Sequence, residues 1–261
     1  MMLADVFPYV SVVAVLCWCI ASVCALRGKS IIKAISWSVL GIVVFAALIA
    51  WLWIATQRPP LRTMGEVRLW YSLFLVLIGL LVYVRTHWRW LPPVSTLLAS
   101  VFVVISLCRP ELFETDLMPA LQSPWFVPHV SIYMFSYSLL SMATIYSSWL
   151  LFRRPKREIT LRELADERAM VMMGWSLLSI GMITGALWAK QAWGDWWSWD
   201  PKETWAAATW MGYLLYIHRS HRGASRVSQF LLLIFSFLLL QMCWYGIKFL
   251  PSSAGSIHVY S

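Results

Sequence analysis

The sequence predicts an all-α fold: a polytopic membrane helix bundle of about eight transmembrane helices, with both termini facing outward. Three observations lead there. Hydrophobic residues make up 60% of the 261 positions and charged residues only 13%, a balance far from that of soluble domains. Apolar runs of about twenty residues recur along the chain, the length a helix needs to cross a hydrocarbon core about 30 Å thick. The runs are continuously apolar, whereas barrel strands alternate apolar and polar residues over about ten positions, so helices are expected.

Taken in order, the expected spans are 7–26, 34–55, 69–84, 91–108, 129–152, 170–189, 203–218 and 229–249. The first starts almost at Met1 without a basic leader or a small-residue cleavage site, so no removable signal is expected. It holds Cys17, Cys19 and Cys24, which read as buried, small apolar packing residues. Cys108 and Cys243 fall near outer span ends, and no disulfide framework is expected. Between the fourth and fifth spans, RPELFETDLMPALQSPWFVP carries four prolines and three acids, which predicts a turn-rich cap or amphipathic segment. Between the fifth and sixth, RRPKREITLRELADER is basic and then helical in pattern, the signature of a solvated or membrane-surface helix. No internal repeat or low-complexity tract interrupts the chain. The expected organisation is a set of N-terminal transmembrane helices over 1–119 and a motif-bearing region over 120–261, joined in one compact membrane domain.

The formal net charge of +9 would suggest nucleic acid in a soluble protein. Here the basic residues sit in short loops between spans and act as topology signals, so no nucleic-acid partner is expected and the bilayer is the partner they address. Placing Arg27, Lys29 and Lys33 on the cytoplasmic side gives that side fourteen basic residues against seven opposite. The positive-inside rule therefore orients the chain.

Residues 193–205 read WGDWWSWDPKETW, with five tryptophans in thirteen positions. An interfacial aromatic belt accounts for one or two such residues. Five on one polar hinge suit a flat apolar partner whose edge stays near water, as a porphyrin's does. Trp193, Trp196, Trp197 and Trp199 are the candidate shelf. Asp200-Pro201-Lys202-Glu203 has the pattern of an acidic N-cap, a first-turn proline and a reciprocal glutamate, so capping competes with direct chemistry at Asp200 and Glu203. Asp195 has two open readings, fixing an indole N–H or steering a bound ligand.

Neutral imidazole is a standard axial ligand of haem iron, and there are five histidines to test. His129 opens the fifth span on the outer side and His258 lies in the outward tail. The two flank the tryptophan loop and suit clamping a planar metal macrocycle, against the plain reading of polar interfacial anchors. His218 closes the seventh span, fifteen residues or roughly 22 Å of helix beyond Glu203. An inner-leaflet site and a snorkelling anchor beside Arg219 are equally open there. His87 and His221 sit in basic turns and read as solvated or headgroup-facing. Lys190, Lys202, Arg58 and Arg62 are outward cations that could meet propionates. No CxxCH occurs, so haem is not expected to attach covalently to this chain.

WGDWWSWDPKETWA resembles the tryptophan-rich WWD signature of haem-handling proteins of cytochrome c maturation, and its PKETW continuation is most similar to the CcsA (ResC-type) family of the System II pathway. PWFVPHVSIYMFSY, YLLYIHRS and GSIHVYS resemble that family's segments bearing histidines, and together the likeness covers roughly residues 120–261. It implies His129 and His258 as axial ligands of externally presented haem b, bound non-covalently. It implies His218 as ligand at an earlier membrane site and the loop, with Asp195 and Asp200, as the porphyrin's seat. The implied partners are a CcsB-type membrane subunit and apocytochrome c, whose CxxCH thiols receive the haem vinyl groups. The implied location is the bacterial plasma (inner) membrane, with the loop on the periplasmic side. Expected function is therefore the haem-handling subunit of a holocytochrome c synthase. A haem transporter or chaperone without catalytic function, and a structural membrane protein with an aromatic interface, are the alternatives.

Overall fold

The computed structural model describes residues 2–28, 30–61, 63–109, 123–153 and 158–251. These residues form two compact units, Met1–Leu117 and Met118–Ser261, each carrying four helices and, among the described residues, no strand. The protein is a multi-pass helical membrane protein.

In the first unit α1 (Met2–Arg27) packs on α2 (Ile31–Thr56) and on α4 (Leu91–Cys108), while α3 (Met64–Thr86) packs on α2 and α4. Gly28 turns the chain between α1 and α2 at φ +64°, with the Arg89 guanidinium against it. Gly41 leaves room for the Trp18 indole, whose ring centroid lies 5.3 Å from that of Phe45. A capping box starts α3: Glu66 N–H donates to Thr63 Oγ1, and Glu66 Oε2 accepts from Thr63 N–H. The same carboxylate receives Arg58 in a fork at 2.8 and 3.0 Å.

The second unit repeats this adjacency. Helix α5 (Phe126–Arg153) packs on α6 (Leu161–Trp193) and α8 (Arg226–Trp244), and α7 (Pro201–His221) packs on the same two. Six helices, α1–α4, α6 and α8, are long and apolar enough to cross a membrane on composition alone. α5 and α7 are more polar, and α5 shows how a polar helix is accommodated. Ser138, Ser141, Thr144 and Ser148 donate to the carbonyls of Met134, Tyr137, Leu140 and Thr144 at 2.7–2.8 Å, so no hydroxyl is buried unpaired among these four. Between α6 and α7 the Trp175 and Trp210 rings meet at 5.1 Å, Trp210 N–H donates to Ser179 Oγ at 2.8 Å, and Trp175 N–H donates to the Trp210 carbonyl at 3.2 Å.

Two boundaries differ from expectation. Residues 161–169 are no separate surface helix but the first turns of α6, which runs unbroken for 33 residues. The cause is local: the Thr160–Glu163 capping box starts the helix and no breaker stands between Arg168 and Met170. The eighth span was expected to reach 249, yet α8 stops at Trp244 and a 3-10 turn, Gly246–Phe249, follows. At Gly246, where the chain tightens, the end of the Met242 side chain packs against the bare backbone. The proline-rich segment between α4 and α5 lies largely outside the described residues.

One electrostatic clamp fixes α5 to the start of α6. Arg153 forks onto Glu163 at 2.7 and 2.8 Å, with the two side chains only 14% and 11% exposed. Removing one partner leaves a poorly hydrated charge, so Arg153→Ala should cost roughly 2–4 kcal/mol, slightly less than breaking a fully enclosed pair. Thermal unfolding of the detergent-solubilised protein measures this.

Candidate functional site

The four helices of the second unit bring the starts of α5 and α7 and the ends of α6 and α8 to one end of that unit. Tyr137 of α5 meets Trp244 of α8 at 5.9 Å, and Cys243 Sγ lies 3.5 Å from the Lys202 carbonyl of α7. The tryptophan loop closes this end. Helix α6 ends at Gly194, whose φ of +89° continues the chain in the left-handed region and whose N–H donates to the Lys190 carbonyl at 3.2 Å. Lys190 Nζ returns the bond to the Gly194 carbonyl at 2.5 Å and sits 6.0 Å from the Trp196 ring centroid.

The other end of the loop is held by carboxylates. Asp200 is the N-cap of α7 and accepts from Lys202 N–H at 2.9 Å. Glu203 Oε2 accepts from Ser198 N–H at 2.8 Å, Asp200 N–H at 3.2 Å and Ser198 Oγ at 3.4 Å. Both acids are buried. Their geometry makes them organisers of the loop: the same oxygen that completes the helix cap also fixes Ser198. Trp199 adopts φ +59°, a backbone conformation uncommon for a tryptophan, with Glu203 bonds immediately on either side of it.

The indoles divide by exposure. Trp196 is 55% and Trp199 70% exposed, large apolar surfaces offered outward. Trp197 stands perpendicular to Trp199 at 5.7 Å, and its N–H is shielded from solvent with no partner among the described residues. Trp193 ends α6 and meets Trp188 edge-on at 4.7 Å. Asp195 is exposed and holds no indole N–H among the described residues.

His129, in the first turn of α5, is joined to this cluster through Trp188. Its ring stacks on Trp188 at 5.5 Å and 28° and meets Tyr133 at 4.5 Å. Nδ1 lies 2.8 Å from the Gly181 carbonyl oxygen. A carbonyl can only accept, so Nδ1 carries the proton and the neutral ring's lone pair is on Nε2, the nitrogen suited to a metal. Beside His129, Ser123 Oγ donates to Gln191 Oε1 at 2.7 Å, tying the approach to α5 to the last turn of α6.

The remaining candidates are elsewhere or undescribed. His218 is exposed near the far end of α7, with Tyr216 O–H donating to buried Glu167 at 2.8 Å two positions away. His87 and His221 are also exposed. Arg58 is engaged by Glu66 in the first unit, and Arg62 and His258 lie outside the described residues. Sequence reasoning passed over Gly181, Gly185, Trp188 and Tyr133, the layer around His129. Positions 181, 185 and 188 share one helix face by their spacing of four and three, which was the available signal.

A family model described as cytochrome C assembly protein matches residues 61–254. The chain is similar to a cytochrome c biogenesis protein CcsA of Prochlorococcus marinus subsp. pastoris, 30% identical over 234 residues that cover 76% of this chain and 74% of that relative. It is similar to the proteins of the same description in Synechococcus sp. strain RCC307, at 29% identity with 78% of each chain covered, and in Pelargonium hortorum, at 29% with 76% and 77% covered. Among solved structures it resembles the cytochrome c heme lyase CcmF with a TM-score of 0.66. Identity there is 17%, which speaks to fold alone, and 92% of this chain matches 46% of that one, about half its length.

Proposed function

The chain belongs to the cytochrome c assembly protein family, among its CcsA-type members, and on that footing we propose that it is the haem-handling subunit of a cytochrome c synthase. Its cargo is haem b, held non-covalently at the tryptophan loop and presented to the CxxCH thiols of an apocytochrome c. A CcsB-type membrane subunit completes the assembly. The loop faces the extracytoplasmic side of a bacterial plasma membrane and both termini face the same way, an orientation supported by the excess of basic residues in the alternate loops.

The observation that carries this reading is the joining of His129, through Trp188, to a loop that exposes Trp196 and Trp199. His129 supplies an imidazole with its metal-binding nitrogen defined by the Gly181 bond. His258 supplies the second axial imidazole from the C-terminal tail. Trp193, Trp196, Trp197 and Trp199 cover the macrocycle, and the shielded Trp197 N–H suits a propionate oxygen. His218, roughly 22 Å along α7 from Glu203 at helical rise, cannot share that iron and serves an earlier position of the same cargo. Asp200 and Glu203 act by holding the loop.

Thioether formation adds each thiol S–H across a vinyl C=C bond, with no net redox change. It requires proximity rather than a strong base. This chain's part is to hold the ring still and shield it from water.

Co-expression with a CcsB-type subunit and a CxxCH-bearing apocytochrome tests the reading. The expected product is holocytochrome with covalent haem on the outer side. Haem bound to the complex without thioether product would replace the synthase with a carrier, and absence of haem from the purified complex would overturn both.

A further inference from the structure

We propose that Gly181 and Gly185 are positioning residues for His129: the bare backbone at Gly185 leaves the notch in α6 that seats the imidazole, and the Gly181 carbonyl fixes which nitrogen faces the iron. The inference rests on the reading of His129 as an axial ligand. Two separate observations meet at this notch. The Gly181 carbonyl accepts the Nδ1–H at 2.8 Å. A side chain at 185 would put its Cβ 2.7 Å from His129 Cε1 and 2.8 Å from Nδ1, and one at 181 would run into the Tyr133 ring. Real Cβ contacts are longer, so alanine at 185 must displace the ring from its seat on Trp188.

The hydrogen bond has a chemical role beyond placement. A histidine ligand that donates its second N–H to a carbonyl is locked in one tautomer and made more basic, which lowers the reduction potential of the iron it holds. Thr184 modulates this bond. Its hydroxyl lies 3.0 Å from the same Gly181 oxygen and 3.0 Å from the Ile180 carbonyl, so it competes with the imidazole for one acceptor.

Two variants of the full chain, purified with its partner subunit, test the proposal by the reduced-minus-oxidised haem spectrum and by redox titration. Gly185→Ala should lower outer-site haem at least about tenfold, in the range typical when outer-sphere support of a ligand is lost. Alanine favours helix over glycine, so α6 itself is not weakened. The double variant Gly185→Ala with His129→Ala should show no more loss than His129→Ala alone, because both act through one imidazole. Additive losses would mean that Gly185 is merely a packing residue and would overturn the proposal. Thr184→Val keeps side-chain volume, and it should retain haem and shift the potential to more negative values as Gly181 is left to His129. An unchanged potential would sink the role given to the Gly181 carbonyl. An unaltered spectrum in His129→Ala defeats the ligand reading, whereas a loss in His129→Ala with none in Gly185→Ala defeats only the notch.

Discussion

Replacing His129 by alanine should reduce holocytochrome yield in the co-expression assay by at least roughly tenfold to a hundredfold. Losing even the outer-sphere support of a metal-bound histidine costs that much, and this change removes the ligand itself. The protein should still insert and accumulate, because the ring sits in the first turn of α5 and the rest of that helix keeps its packing on α6. His258→Ala should give the same defect if its imidazole is the opposite ligand. His218→Ala should differ, stalling haem before it reaches the loop. Immunoblots for the chain and haem stains for the cytochrome distinguish these outcomes.

The second large effect is expected at a residue that touches no cargo. Glu203 accepts from two backbone N–H groups and one hydroxyl, and it links the cap of α7 to the body of the tryptophan loop. Glu203→Ala leaves the buried Asp200 N–H without this acceptor, at about 1–3 kcal/mol, and releases the exposed Ser198 to water. The loop, with Trp199 in the left-handed region, then keeps the Asp200 cap and the Thr204 hydroxyl on the Trp199 carbonyl but loses the bonds that fix Ser198. Haem retention should fall severalfold while His129 is intact, and limited proteolysis should cut near Ser198. Glu203→Gln keeps one carbonyl oxygen and should recover much of the loss. Equal haem content and equal protease resistance in the alanine variant would refute the pinning role.

Much of the fold was legible because apolar runs long enough to cross a membrane leave the chain little choice but helix. Seven of the eight expected spans lie inside the observed helices, and the eighth overruns the end of α8 by the length of a 3-10 turn. The missed start of α6 was legible too: Thr160 and Glu163 form the same box that was read at Asp200 and Glu203. At the candidate site the sequence offered residue types, a dense indole cluster with His129 before it, and the structure joins His129 to that cluster through Trp188. The layer behind it was not legible. His129 and Gly181 are 52 residues apart and meet only through the packing register of α5 on α6, which periodicity within either helix does not set. Trp188 looked like ordinary content of an apolar span, although it is the ring that connects His129 to Trp193.

The central claim is that haem iron at the tryptophan loop is held by His129. The most direct measurement is the absorption spectrum of the complex purified from membranes, compared with His129→Ala before and after adding imidazole. The account predicts a low-spin, two-imidazole spectrum in the native complex, its loss in the variant, and its return when imidazole fills the vacated position. A variant spectrum identical to the native one, with the same haem content, would contradict it.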